Sequence, residues 1–296
     1  MRYPAVFGVA SGSCQVFLSE AERFLEVARV ENPRWTAEQL LSGRLQCQPV
    51  ELYLEPPPIS EEQKARFRAD LAARANGVPL QYLTGSAGFY GRDFFVGPGV
   101  FIPRPETEVL VDTVLYLCGH LQVVRGGSRL KVADIGAGSG AIAVTVALER
   151  QGTAVFAVER STAAISFARR NAERHQAEVL FLQGSLLAPL SGTSLDLIAS
   201  NLPYLNPEEA AGWPKELHWE PWLALDGGDR GIFWIQELLR QAPPVLSAGG
   251  KIVLEIGEGH AGLVRQAAHA HGFEVERIVH DLAGLDRVVV LKEKSS

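Results

Sequence analysis

The spacing of hydrophobic positions changes along the chain, and the change falls near residue 105. In residues 19–76, apolar side chains recur three and four positions apart, the spacing of amphipathic helices. Ser19 followed by Glu22 fits a capping box, with Phe24, Leu25 and Ala28 on one apolar stripe, and so predicts the start of a first helix. After Arg129, short continuous apolar runs alternate with helical patterns instead.

The first part of the chain is predicted to hold three short helices. Thr36 begins the second, and three consecutive prolines at 56–58 exclude a helix there. Ser60 and Gln63 are predicted to open the third helix, which is expected to end at Asn76-Gly77. Three helices ahead of an α/β domain suggest a partner-recognition module, although a structural cap is an alternative.

The second part is predicted to be an α/β domain with a mostly parallel sheet. Seven apolar runs read as strands: RLKVADI, TAVFAVE, AEVLFLQ, SLDLIAS, GGKIVLEI, FEVERIVH and DRVVVLK. Near-continuous apolar strands alternating with helices indicate a sheet covered on both faces. The last two strands are joined by a short loop, which favours an antiparallel hairpin at one edge.

These patterns divide the chain into four segments. Residues 1–18 form an N-terminal extension, 19–77 a small helical domain, 78–105 a hairpin-rich linker with aromatics between Gly and Pro, and 106–296 the α/β domain. A chain of 296 residues, 47% hydrophobic and 21% charged, is typical of a soluble globular protein of this size.

Charge and cysteine content narrow the function classes. The net charge is -6, and residues 1–95 carry 10 Arg/Lys against 11 Asp/Glu, which argues against a dedicated nucleic-acid-binding protein. The three cysteines lie far apart without a CxxC pair, so we expect no metal and reduced thiols in the cytoplasm. We see no apolar run of the length that spans a bilayer and no secretory signal.

The first predicted strand of the α/β domain leads into a glycine-rich turn. Asp134, Ile135, Gly136, Ala137 and Gly138 join this strand to a helix, and glycines there let the backbone approach a ligand. The glycines alone would also fit a dinucleotide. Asp134, two residues before the first glycine, favours S-adenosyl-L-methionine (SAM). Glu159 ends the next strand, where a carboxylate can accept hydrogen bonds from ribose hydroxyls of either cofactor.

Candidate catalytic residues follow the fourth predicted strand. An amide nitrogen is a poor nucleophile, and two acceptors that hold both of its N–H groups would orient its lone pair. Asn201 Oδ1 and the Leu202 carbonyl can be those acceptors, since Pro203 holds Leu202 extended. Tyr204 can supply a flat wall. Holding the amide nitrogen in the right orientation can lower the activation barrier by roughly several kcal/mol, so the reaction does not require a strong base.

The chain resembles the HemK/PrmC family, the glutamine methyltransferases of peptide chain release factors. The resemblance runs from about residue 20 to 291 and rests on VENPRWTAEQLL, GVPLQYLTGSAGFYGRDFFV, FIPRPETEVLVD, DIGAGSGAIAV, SNLPY, EPWLALDGGDRG, LEIG and DLAGLDRVVV. FIPRPETE is the most specific of these. The resemblance implies a helical domain that docks the release factor, a hairpin linker and a seven-stranded SAM domain of Rossmann-like fold.

The resemblance also implies the activity and the site. The substrate would be the glutamine of the Gly-Gly-Gln motif of class-one release factors. A monomeric enzyme would methylate it in the cytoplasm, tune translation termination and leave S-adenosyl-L-homocysteine. The implied SAM contacts are Asp134, Ile135, Gly136, Ala137, Gly138, Glu159, Ser185, Leu186 and Asn201, with Phe101 and Arg104 beside them. Substrate binding and catalysis map onto Asn201, Leu202, Pro203 and Tyr204.

The chain departs from the family pattern at four places. Leu202 replaces the usual first proline of Asn-Pro-Pro-Tyr, Glu159 replaces an Asp, and Ser185 stands where an acidic residue is common beside the adenine. Ser185 can still accept a hydrogen bond, whereas Leu186 offers the adenine only apolar packing. The fourth departure is the extension at residues 1–18.

Several alternatives stay open from the residues themselves. An amino methyltransferase of nucleic acid would use the same Asn-x-Pro-Tyr geometry on a flipped base. A glutamine methyltransferase of another protein, a catalytically inactive SAM-fold binder of release factors and a NAD-dependent oxidoreductase are the others. Glu255 in LEIG is flanked by apolar residues and is predicted to be a buried structural carboxylate.

Overall fold

The computed structural model describes residues 14–294, which form two compact units. One unit takes in the chain up to Ser86 together with Pro214–Trp219, and the other holds Ala87–Trp213 and Glu220 onward. The helices of the first unit are α1 (Cys14–Val27), α2 (Pro33–Leu45), α3 (Glu51–Leu54), α4 (Glu61–Ala75) and α5 (Leu80–Thr84).

The predicted start of the third helix at Ser60 is confirmed, and the structure shows a capping box there. At the start of α4 the Gln63 amide donates to Ser60 Oγ over 3.2 Å, and the Ser60 amide donates to Gln63 Oε1 over 2.9 Å. The prediction at Ser19 is wrong, because α1 already begins at Cys14 and Ser19 lies inside it. Phe17 and Leu18 are buried together with the rest of the apolar stripe, so the amphipathic pattern of α1 begins before Ser19. Residues 1–13 of the predicted extension lie outside the described residues.

The helical unit has its own core. Its fully buried side chains come from four helices: Leu18, Leu25, Leu41, Leu52, Phe67 and Leu71. Burial of each such side chain stabilises the fold by about 1.5–3 kcal/mol. Beside this core, Arg44 makes a two-point ion pair with Asp70, at 2.5 Å and 2.7 Å.

The second unit is built on a seven-stranded sheet. A small hairpin, β1 (Ser86–Phe89) and β2 (Arg92–Phe95), precedes α6 (Glu108–Val124). The sheet strands are β3 (Lys131–Ile135), β4 (Ala154–Glu159), β5 (Val179–Gln183), β6 (Leu195–Ser200), β7 (Leu246–Glu255), β8 (Phe273–His280) and β9 (Asp286–Glu293). The remaining helices are α7 (Ala141–Glu149), α8 (Thr162–His175), α9 (Phe233–Gln241) and α10 (Ala261–Ala270).

The strand order confirms the predicted mostly parallel sheet. It runs β5-β4-β3-β6-β7-β9-β8. The first five strands in this order are parallel, and β9 pairs antiparallel with both β7 and β8. The C-terminal hairpin therefore lies at one edge as predicted. Alternate residues of the strands face two separate hydrophobic clusters, so helices cover both faces.

One helical segment is long and apolar enough to pass the test for a membrane span, although the sequence predicts no such run. Pro105–Val124 spans 20 residues with a mean hydropathy of 1.2, enough by length and composition to cross a membrane. It contributes Val111, Val114, Leu117 and Cys118 to the buried cluster on one face of the sheet. These contacts are those of a core helix.

Candidate active site

The candidate site lies where the sheet order reverses. The chain moves outward from β3 through β4 to β5 and then returns to place β6 on the other side of β3. Ile135 at the end of β3 pairs with Val158 of β4 and with Ser200 of β6, so three strand ends meet there. Ligands of open α/β sheets bind at such a switch point.

The glycine loop after β3 has a left-handed backbone at three positions. Gly136, Gly138 and Gly140 have φ angles of 78°, 55° and 81°, which glycine adopts without steric cost. Gly136 also lies close to the end of β6, since a Cβ there would stand 3.4 Å from Leu202 Cδ2. The amides of Gly136 and Ala137 donate to the Val158 carbonyl over 2.9 Å and 3.0 Å. The loop is thereby tied to β4 and packed against the Asn-Leu-Pro-Tyr segment.

Glu159 is oriented by two backbone amides. Its Oε2 accepts from the Gly138 amide at 2.9 Å and its Oε1 from the Ser161 amide at 2.7 Å. The structure therefore brings the predicted ribose carboxylate directly to the predicted glycine loop. Each oxygen keeps a further lone pair for a ligand hydroxyl.

Asp134 is buried, with 1% of its surface exposed. Its Oδ2 accepts from the Ala143 amide over 3.1 Å, whereas Oδ1 has no hydrogen-bond partner among residues 14–294. Burial raises the pKa of Asp134 to about 7, and the nearby Glu159 adds to this increase. A buried acceptor without a partner is costly in a folded protein, and a bound donor would relieve that cost.

Ser185 and Leu186 follow β5 and differ in placement. The Gly184 amide donates to the Glu159 carbonyl over 3.0 Å, which holds this turn beside β4. Ser185 is exposed, whereas Leu186 is buried in the cluster on one face of the sheet. Leu186 has a left-handed φ of 49°. Its side chain thus forms part of the core beneath the turn.

The Asn-Leu-Pro-Tyr segment is held by side-chain hydrogen bonds. Asn201 Nδ2 donates to Thr107 Oγ1 over 3.1 Å, which joins the segment to FIPRPETE. Leu202 is buried, and Pro203 is half-buried. The Tyr204 hydroxyl donates to Glu255 Oε1 over 3.4 Å, and burial raises the pKa of Tyr204.

The FIPRPETE segment is anchored by Glu220. The Arg104 guanidinium stacks on the Phe101 ring, with 4.8 Å to the ring centroid, and forms an ion pair with Glu220. Glu220 Oε2 also accepts from the Ile102 amide over 3.0 Å. Phe101 and Arg104 are therefore fixed relative to each other.

Sequence reasoning missed three residues of this arrangement. Thr107 and Glu220 lie within the FIPRPETE and EPWLALDGG motifs without a role that the sequence predicts, and for Glu255 the sequence predicts only a buried structural carboxylate. Its burial is confirmed, because 1% of Glu255 is exposed. The sequence feature that could have indicated Thr107 and Glu220 is their place in FIPRPETE and EPWLALDGG, two of the motifs that carry the family resemblance. Across residues 14–294, His, Cys, Asp and Glu side chains form no group suited to a metal ion.

Comparisons with known proteins identify the class of this fold. Residues 107–213 match the family model of the methyltransferase small domain, and residues 17–85 match that of the PrmC N-terminal domain. A crystal structure of a methyltransferase from Pyrococcus furiosus covers 78% of this chain and 98% of its own, with a TM-score of 0.50 and 18% identity. The chain has the fold of a methyltransferase.

Curated relatives then give the particular family. The release factor glutamine methyltransferase of Geobacter sulfurreducens is 40% identical over 268 residues, 90% of this chain and 92% of its own. That of Koribacter versatilis is 38% identical, over 93% of this chain and 97% of its own. The chain belongs to the release factor glutamine methyltransferase family, which confirms the HemK/PrmC resemblance.

Proposed function

We propose that this protein methylates the side-chain amide nitrogen of the glutamine in the Gly-Gly-Gln motif of class-one release factors, with SAM as the donor. The observation that carries the proposal is the placement of Asn201. Its Nδ2 is engaged by Thr107, which leaves Oδ1 as an acceptor, and its backbone carbonyl lies 3.9 Å from where a Cβ on Gly136 of the glycine loop would stand. The names of the curated relatives support the choice of substrate.

The residues at the strand ends fit SAM. The loop from Asp134 through Ile135, Gly136, Ala137 and Gly138 would hold its methionine and adenosine parts, and Glu159 would accept from its ribose. The unpartnered Oδ1 of Asp134 and the constrained glycine loop both suit a bound polar ligand.

Further contacts would complete the pocket. Ser185 would accept from the adenine, Leu186 would close the apolar side, and Phe101, Arg104 and Asn201 would flank the donor group. When bound, SAM supplies a methyl group activated by a positive sulfonium, and its product is S-adenosyl-L-homocysteine.

The residues of this chain would orient the nucleophile. Asn201 Oδ1 and the Leu202 carbonyl would each accept one N–H of the glutamine amide, turning the nitrogen lone pair toward the methyl group. Tyr204, fixed by Glu255, would form the wall on which the planar amide rests. The amide nitrogen gives up one proton to solvent as it gains the methyl. Since Leu202 keeps its carbonyl and Pro203 restrains it, replacement of the usual proline should leave activity in place.

We assign the helical segment 19–77 to recognition of the release factor, as an extension of the same proposal. It has its own buried core and lies entirely within residues 17–85, which match the PrmC N-terminal domain. Its charges nearly balance, which suits a protein partner better than nucleic acid. The enzyme would act in the cytoplasm as a monomer and affect translation termination.

The experiment is transfer of labelled methyl from SAM to a purified class-one release factor. We expect label on the wild-type factor and none when its Gly-Gly-Gln glutamine is changed to Ala. Asn201→Ala should abolish transfer while SAM still binds. Label on ribosomal RNA, DNA or another protein, with none on the release factor, would replace this proposal by one of the alternatives.

A further inference from the structure

An asparagine can serve as the acceptor only if its side-chain amide is turned the right way. A rotation of 180° would exchange the acceptor Oδ1 for the donor Nδ2, and two donors would then face each other. Asn201 is half-buried at the end of β6, so water can only partly satisfy a side-chain amide that is turned the wrong way. The active site therefore needs a group that selects one orientation.

Thr107 is the group in contact with Asn201. Its Oγ1 lies 3.1 Å from Asn201 Nδ2, and its side chain is buried at the turn just before α6. A hydroxyl can also donate, and a donating Thr107 would attract Oδ1 and reverse the amide. Thr107 fixes the orientation only if its own proton is engaged elsewhere.

Glu255 lies where it can engage that proton. Glu255 Oε2 is a buried acceptor without a hydrogen-bond partner within the described chain, and the nearby Thr107 hydroxyl lowers the pKa of Glu255 against the larger effect of burial. Glu255 Oε1 accepts from the Tyr204 hydroxyl. An ionised carboxylate has only acceptors, so a charged Glu255 that accepts from Tyr204 at Oε1 would also accept the Thr107 proton at the unpartnered Oε2. Arg287 supports its negative charge and Glu106 opposes it.

We propose that Glu255 and Thr107 are positioning residues that set the orientation of the Asn201 amide. Glu255 takes the Thr107 proton, Thr107 accepts from Asn201 Nδ2, and Asn201 Oδ1 is left to accept from the substrate. The Glu255 carboxylate also holds the Tyr204 hydroxyl. One buried group would therefore align both Asn201 Oδ1, which accepts from the substrate amide, and the Tyr204 ring, against which that amide rests. This inference rests on the proposed function.

The first test compares Thr107→Val with Thr107→Ser. Valine keeps the shape of threonine but has no hydroxyl, whereas serine keeps the hydroxyl. With a release factor as substrate, we expect Thr107→Val to lower kcat by about 10- to 100-fold, as for loss of an outer hydrogen-bond partner that orients a side chain of a site. KM for the release factor and the Kd of SAM should change little. Thr107→Ser should recover most of the lost kcat.

The second test is the pH profile of kcat. Burial raises the pKa of Glu255 to about 7, so the wild-type kcat should fall as pH drops below that value, because a protonated Glu255 can donate to Thr107. Glu255→Gln does not titrate and should remove this acidic limb. Asp134 titrates in the same range, but its effect should be seen in the affinity for SAM.

The outcomes separate this inference from the proposed function. If Thr107→Val and Thr107→Ser have equal kcat, or if Glu255→Gln keeps the acidic limb, the positioning role is wrong. If wild-type enzyme does not label the release factor, or Asn201→Ala still does, the proposed function itself fails. Far-UV circular dichroism of each variant distinguishes loss of folding from loss of positioning.

Discussion

Removal of the Glu220 carboxylate should loosen the FIPRPETE segment. Glu220 has 1% of its side chain exposed, and it holds the Ile102 amide and the Arg104 guanidinium at once. Glu220→Ala leaves the buried Ile102 N–H without an acceptor, which costs about 1–3 kcal/mol. Loss of a partner in a buried ion pair costs about 3–5 kcal/mol.

The expected total is smaller than the sum of these two values. Arg104 keeps 30% of its side chain exposed, so water can replace part of the lost pair. We therefore expect Glu220→Ala to lower the free energy of unfolding by about 2–4 kcal/mol. Glu220→Gln keeps one carbonyl oxygen for the Ile102 amide, and it should lower the free energy by about half as much.

Urea denaturation followed by far-UV circular dichroism measures this change. Glu237→Ala is a matched control, because it breaks an ion pair with Arg240 on the surface of α9. Its midpoint should equal that of the wild type. A Glu220→Ala variant as stable as the Glu237→Ala control would refute the anchoring role. Methyl transfer should fall in Glu220→Ala as well, since the same segment carries Thr107.

Four further variants test other parts of the structure. Gly227→Ala should reduce both stability and methyl transfer, because its Cβ would lie 2.7 Å from the Tyr204 Cα; Gly262→Ala, in open space within α10, should instead be neutral or stabilising. Ser60→Ala removes the capping box of α4 and should destabilise the helical unit by about 1 kcal/mol in urea denaturation, and no change would refute the cap. Burial raises the pKa of Asp134 from its usual 3.8 to about 7 in the folded protein, so the folded state binds more protons between these values and the free energy of unfolding falls as pH rises through them. The stability of Asp134→Asn relative to the wild type should therefore increase by about 2–3 kcal/mol from pH 5 to pH 8, and a constant difference would contradict the raised pKa.

Local patterns of the sequence determine much of the fold. The alternation of apolar strands and helices, the C-terminal hairpin and the capping box at Ser60 all depend on residues close together in the chain. The start of α1 was misplaced because Ser19 satisfies a local capping pattern while Phe17 and Leu18 are buried ahead of it. Tertiary burial overrode the local signal there.

The supporting contacts of the site could not be predicted in the same way. Thr107 contacts Asn201 across 94 positions, and Glu220 contacts Ile102 across 118. No periodicity links residues at such separations. The glycine loop, Glu159 and Asn201 were predictable because the end of a parallel strand has a fixed place at the switch point.

The most direct test of the central claim is the mass of the release-factor peptide that contains the Gly-Gly-Gln motif, after incubation with this enzyme and SAM. Fragmentation should place a single added methyl group on the glutamine side chain, and Asn201→Ala enzyme should leave that peptide unmodified. An unmodified peptide with active wild-type enzyme, or a methyl group on any other residue, would contradict the account.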